Sequence, residues 1–240
     1  MKNSEVISEL KNKYGTQSTV STQEIKEVLI GIFPDLTPST ISWRINQLKK
    51  EKLIHQVGRG IYSFEFKPDY IPQLSLKTKR TYNRIKQLCS STLCVWDSLM
   101  LDDILGAESD RHWMFFSTAK NELEPLFQQM LDFSKQVFLS PDKEVINRYM
   151  APLKEAIILT PLVSETPLFE DTDYITPTIE GVLVNAWISS SNMLDLIGYD
   201  IKKLFQDAFT SFNINRSKLL RYASRRDQRS QIETLINSIT

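Results

Sequence analysis

The chain has 240 residues, with 29 Lys or Arg against 29 Asp or Glu, two cysteines and two histidines, which is enough for one or two domains with a substantial core. Cys89 and Cys94 point to neither a disulfide scaffold nor a zinc cluster, since a structural zinc site takes four ligands and only His55 and His112 could be added. There is no basic leader with an apolar stretch and a small-residue cleavage motif, and no long uncharged run, so a reducing, cytoplasmic setting without a membrane partner is expected.

The balanced charge hides a division. Residues 1–80 hold 13 cationic against 8 acidic side chains, residues 81–215 hold 10 against 19, and the tail from Arg216 holds 6 against 2. A cationic head on an acidic body suits a nucleic-acid reader attached to a part with another task.

In chain order, "NSEVISELKNKYG" predicts a helix with Val6, Ile7, Leu10 and Tyr14 on one side and Gly15 as its stop. "STQEIKEVLIGIF" predicts a second, with a capping box from Ser21 to Glu24, a stripe of Ile25, Val28, Leu29 and Ile32, and an end at Pro34. In "DLTPSTISWRINQLKKEKLI", Thr37 is the expected cap, Pro38 suits the first turn, and Ile41, Ile45 and Leu48 recur on the buried side. Ser39, Thr40, Ser42, Trp43, Arg44, Asn46, Gln47, Lys49 and Lys50 share its other faces, with side chains that suit base edges and phosphates. Two strands follow, around Leu53–Val57 and Ile61–Phe66, and Gly58-Arg59-Gly60 makes the reversal that holds Arg59 at the tip. Three helices and a cationic hairpin predict a winged helix-turn-helix over residues 1–70 whose partner is double-stranded DNA, although winged helices also serve as protein-interaction modules.

A linker with a domain boundary is expected within residues 67–80, and residues 80–240 form the second domain. "TYNRIKQLCS" reads as a short helix with Tyr82, Ile85 and Leu88 inward. Strands at "STLCVW", "HWMFFSTA", "KQVFLS" and "EAIILTPLV" alternate with helices at "DSLMLDDIL", "KNELEPLFQQMLDF" and "PDKEVINRY". "TPTIEGVLVNAWISS" is helical in spacing, and so are the last forty residues. The fold class is α/β, with a mixed or partly parallel sheet and a helical C-terminus.

The body offers few sites for chemistry. Asp97, Asp102 and Asp103 read best as a solvated helix face, and Cys89 and Cys94 as inert core thiols. His112 reads as a buried or edge-strand histidine. The one close glycine pair, Gly58 and Gly60, belongs to the hairpin, so no phosphate cradle and no cofactor are predicted, and no catalytic or metal residue is assigned. Lys218, Arg221, Arg225 and Arg229 follow three- and four-residue steps, and on one helix they form a basic stripe for a nucleic acid or a protein partner, or simply a solvated face.

With "GRGIYSF" at residues 58–64, "VWDSLML" at 95–101 and "TPTIEGVLVNAW" at 176–187, the chain resembles the AbiEi-like family, the antitoxins of type IV toxin-antitoxin and phage-defence operons. It departs from the typical member in "SDRHWMFFSTAKNELEPLFQQML", which is more hydrophobic and acidic. The resemblance implies an N-terminal domain that represses its own operon and a C-terminal domain that counters a nucleotidyltransferase-like toxin. It carries DNA contact to Ser39, Thr40, Ser42, Trp43, Arg44, Gln47 and Arg59, and the helix chemistry adds Lys49 and Lys50. Arg44 and Gln47 are the expected base readers, and two copies on one operator are a reasonable expectation. Two alternatives stand beside this reading: a protein-interaction module, and a metal-dependent nuclease or nucleotidyltransferase in which Asp97, Asp103 and Glu180 converge.

Overall fold

A computed structural model describes residues 3–15, 19–64, 67–170, 173–189, 193–194 and 198–239. The fold is mixed α/β, and it divides into two compact units: residues 1–69 with 213–217, and residues 70–212 with 218–240.

The first unit opens with α1 (Asn3–Tyr14), which buries Val6, Ile7, Leu10 and Tyr14 at three- and four-residue steps. After β1 (Val20–Ser21) comes α2 (Thr22–Ile32), started by a full capping box. Ser21 Oγ accepts from the Glu24 N–H at 3.2 Å while Glu24 Oε2 accepts from the Ser21 N–H at 2.7 Å. Those bonds favour the charged carboxylate and hold the Glu24 pKa below its ordinary value. In α3 (Pro38–Lys50), Thr37 Oγ1 caps the Thr40 N–H at 3.3 Å, and Pro38 occupies the first turn, where no donor is needed. Ile41, Ile45 and Leu48 turn inward onto α1 and α2, into the core completed by Ile54 and Tyr62.

Strands β2 (His55–Gly58) and β3 (Ile61–Ser63) form a hairpin with a bulge between Gln56 and Gly58, and β1 pairs antiparallel on the far side of β3, giving the order β1-β3-β2. The two-residue β1 is too short to show alternation in the sequence, so it is an addition to the expected elements. The expected run of β3 to Phe66 lies outside the described residues. Gly60 has a φ of +70°, and a Cβ there would meet Thr22 Oγ1 at 3.0 Å. Thr22 donates to the Gly60 carbonyl from both N–H (2.7 Å) and Oγ1 (3.0 Å), which ties the hairpin turn to the start of α2. The Arg59 N–H donates to Ser217 Oγ at 2.9 Å, and Asn213 donates to the Pro68 carbonyl and to Asp69 Oδ1, so the 213–217 segment lies beside the hairpin.

The second unit starts with α4 (Leu76–Lys86), capped by Ser75. Its helix begins five residues before the expected "TYNRIKQLCS" and stops at Lys86, so Tyr82 and Ile85 are buried but Leu88 lies past the end and is exposed. Next come β4 (Cys94–Asp97), α5 (Leu99–Leu105), closed by Gly106 with a φ of +59°, and β5 (His112–Thr118). A 3-10 turn leads into α6 (Leu123–Met130), followed by β6 (Val137–Leu139), α7 (Lys143–Val145) with a π turn at Ile146–Met150, and β7 (Glu155–Pro161).

The sheet order is β4-β5-β7-β6, with β4 antiparallel to β5 and the other two pairings parallel. Trp113–Phe116 on β5 and Ala156–Leu159 on β7 are buried without alternation, as expected of central strands with parallel pairing. A separate hairpin, β8 (Leu168–Glu170) and β9 (Ile175–Pro177), precedes α8 (Ile179–Ser189). Thus "TPTIEGVLVNAWISS" begins as a strand rather than a helix, and its Ser190 lies outside the described residues. Ile179 to Val184 are buried all round α8, and at Gly181 a Cβ would approach Pro177 Cβ to 2.8 Å, so a side chain is excluded there. Helices α9 (Ile201–Ser211), α10 (Arg216–Arg225) and α11 (Arg229–Ile239) complete the chain. Among the described residues no helix is long and apolar enough to cross a membrane.

Candidate nucleic-acid interface

At 100° per residue, the buried side of α3 (Ile41, Ile45, Leu48) leaves Ser39, Ser42, Trp43, Asn46 and Lys50 along the opposite line, and all five are exposed. Trp43 keeps 58% of its surface in solvent. Ser42 donates to the Pro38 carbonyl at 3.1 Å, a back-bond within the helix. The stripe thus presents an indole, an amide, two hydroxyls and an ammonium, a set able to meet base edges and phosphate oxygens.

The remaining expected contacts lie on the flanks. Thr40 is half-buried, with its hydroxyl 2.8 Å from Thr37 Oγ1. Gln47 is also half-buried. Lys49 reaches β2, donating to Gln56 Oε1 at 3.1 Å. The Arg44 guanidinium lies 4.1 Å above the Phe33 ring, with its Nε buried and unbonded, so this side chain closes the α2–α3 corner. Asn46, absent from the set expected for contact, shares the exposed line of Ser39, Trp43 and Lys50. The signal for it was the heptad-like spacing alone. Arg59 is exposed in the turn between β2 and β3, where its backbone N–H is held by Ser217 Oγ.

The C-terminal basic residues do not share one helix. Asp227 adopts a φ of +55°, and the chain breaks between Arg225 and Arg229, which separates α10 from α11. Lys218 lies 3.7 Å from Glu180, Arg221 3.1 Å from Glu165, and Arg229 3.7 Å from Glu233. Arg225 is exposed. The steps of three and four held within α10, but its end at Arg225 is not visible in residue spacing.

The carboxylates of the second unit depart from the expected solvated face. Asp97 ends a strand and has no exposed surface, and Asp102 is buried as well, whereas Asp103 alone is exposed. Thr78, in the first turn of α4, donates to Asp97 Oδ2 at 2.5 Å. His112 Nε2 lies 3.1 Å from the same oxygen and 3.0 Å from Thr78 Oγ1, an arrangement assigned here to the Nε2–H tautomer donating to both. His112 stands on β5, inside the sheet rather than at its edge.

Asp102 accepts from the Tyr199 hydroxyl at 2.7 Å and from the Ser109 N–H at 3.3 Å, but burial outweighs both and raises its pKa above the ordinary 3.8. Because the folded state holds this proton more tightly, the associated stability is complete below the unfolded value and is lost as pH rises through the folded one. Asp102→Asn is therefore expected to flatten that loss. Urea titrations between pH 3.5 and 7 should show wild type gaining on the variant as pH falls. A constant gap across this window would remove Asp102 as the source.

Burial pushes the Cys94 thiol up to about 12 and raises Cys89 as well, which leaves little reactive thiolate near neutral pH. Among the described residues, no group of three or more His, Cys, Asp or Glu side chains is placed to hold a metal ion. Asp97 is engaged with Thr78 and His112, and Glu180 faces Lys218, so the trio Asp97, Asp103 and Glu180 has no shared centre.

A three-helix unit with a cationic ribbon tip, and a second unit built on a mixed sheet, define a two-unit α/β protein. The chain belongs to the Family of unknown function (DUF6577), whose model matches residues 40–240. Comparison with curated proteins finds no match.

Proposed function

We propose that this protein is a DNA-binding transcriptional regulator whose N-terminal unit is a winged helix-turn-helix, acting as an antitoxin of the AbiEi-like kind and repressing its own promoter. The observation that carries the reading is the solvent stripe of α3, Ser39, Ser42, Trp43, Asn46 and Lys50, on the same unit as the exposed Arg59 of the hairpin. On this account α3 enters the major groove, and Arg59 takes a phosphate or the minor groove. Thr40, Gln47 and Lys49 border the contact, and Arg44 supports it from the α2–α3 corner. The second unit engages a nucleotidyltransferase-like toxin or a second copy of the chain, as the resemblance suggests.

The test is an anisotropy titration of the full chain against the duplex upstream of its own gene and a scrambled duplex of equal length, repeated across a salt series. Sequence-dependent binding is expected to be at least about 10³-fold tighter than non-specific binding at physiological salt. Arg59→Ala is expected to weaken both duplexes and to reduce the salt slope by about one. Equal, weak affinity for the two duplexes would overturn self-repression.

A further inference from the structure

The second unit contains a cleft of ≈ 310 Å³ along one flank of α4, lined by Arg80 and Arg84 of that helix and by Phe133, Ser134 and Gln136. Its floor is Met114 on β5 and Ile157 on β7, which are register partners on the sheet face that also carries Asp97 and Glu155.

Helix α4, "LKTKRTYNRIK", has five cations and no acid. Three of the five are lysines, each with a partner outside the cleft centre. Lys77 pairs with Glu155 at one end of the cleft, Lys79 lies 5.5 Å from the centre of the Tyr174 ring, and Lys86 donates to the Ser91 carbonyl at 3.4 Å. Arg80 and Arg84 are the two arginines, four residues apart, so their side chains are neighbours on one helix face and repel each other. Among the described residues no carboxylate pairs with either. The Arg84 guanidinium lies 3.9 Å from the centre of the Phe133 ring, a contact that restrains this side chain. Ser134, also on the cleft lining, accepts from the Gln136 N–H at 3.2 Å through Oγ, and a hydroxyl that accepts retains a proton to donate.

We propose that this cleft binds a phosphate monoester of nucleotide size, with the phosphate between Arg80 and Arg84 and the organic part over Met114 and Ile157. An anion there relieves the repulsion between the two guanidinium groups, each able to offer a bidentate fork to phosphate oxygens. The volume lies at the lower end of the range for small-molecule sites, about 300–1,000 Å³, so one nucleotide fits and a duplex does not. The site is separate from α3 and requires nothing of the reading proposed for it.

The test is calorimetric titration of the full chain with AMP, GMP, inorganic phosphate and adenosine, and with a tetranucleotide bearing either a 5′-phosphate or a 5′-hydroxyl. AMP or GMP is expected to bind, and adenosine to bind on the order of tenfold more weakly or not at all. Arg80→Gln, at an exposed residue, is expected to weaken the nucleotide by roughly tenfold or more with the circular dichroism unchanged, the scale of one lost charge-assisted contact. Arg225→Gln should leave binding as it is. Preference for the phosphorylated tetranucleotide over AMP would identify a strand end as the source of the phosphate, and preference for AMP a free nucleotide. Equal binding of adenosine and AMP, an unaffected Arg80→Gln, or no binding of any phosphate probe at millimolar concentration would each overturn the proposal.

Discussion

Asp97→Ala is expected to destabilise the second unit by roughly 2–4 kcal/mol, because the Thr78 hydroxyl and the His112 N–H would each lose a buried acceptor, at about 1–3 kcal/mol apiece. Thr78 and Asp97 have no exposed surface, so bulk water cannot replace the lost partner cheaply. Asp97→Asn separates the contributions. Its amide oxygen still accepts from both donors, but its NH₂ then occupies the place of Asp97 Oδ1, which is buried without a hydrogen bond. It should cost less than Ala and more than nothing. Urea unfolding midpoints at constant m measure both variants. His112→Ala in the Asp97→Ala background should add less than it costs alone, since the two side chains share one interaction. A loss under about 0.5 kcal/mol for Asp97→Ala, the range of ordinary surface changes, would mean that this cluster does not hold the α4–sheet corner.

Ser42→Ala, Trp43→Ala and Asn46→Ala combined are expected to lower affinity for the upstream duplex by about 100-fold, close to 2.7 kcal/mol, a modest demand on three residues when one good base contact discriminates by about 1–3 kcal/mol. All three are exposed, so the unfolding free energy should stay within about 0.5 kcal/mol of wild type. Arg44→Ala should do the opposite. Removing a half-buried guanidinium from the Phe33 ring costs on the order of 1–2 kcal/mol of stability, and the folded fraction should bind DNA nearly as before. Anisotropy and urea unfolding on the same preparations read both quantities. If Arg44→Ala abolished binding with its fold intact, base reading would return to Arg44. An unaffected triple variant would move the interface away from α3.

Much of this structure was legible in local sequence because short-range physics governs it. The Ser21–Glu24 capping box, Thr37-Pro38 at the head of α3, the inward stripes of α1 to α3 and the Gly58–Gly60 reversal all depend on residues within a turn or two of each other. The unbroken apolar runs of β5 and β7 likewise announce central parallel strands. The start of α4 could have been read from Ser75 and Thr78, but two nearby prolines gave that stretch the look of a linker.

Other features depend on residues far apart in the chain. Asp97, Asp102 and Asp103 look alike as letters, yet strand pairing buries Asp97 against Thr78 and His112, packing puts Asp102 under Tyr199, and only Asp103 meets solvent. Arg44 differs from Asn46 in role because Phe33 happens to lie beneath it, and the cleft beside α4 exists because β5 and β7 place Met114 and Ile157 below Arg80 and Arg84. The sequence by itself determined the element types, their caps and the inward face of each helix, since these follow from backbone hydrogen bonding and amphipathic spacing within a few residues. The tertiary structure alone decided which polar side chains are buried, paired or left facing a cleft, since desolvation and charge pairing are properties of neighbours that chain order does not reveal.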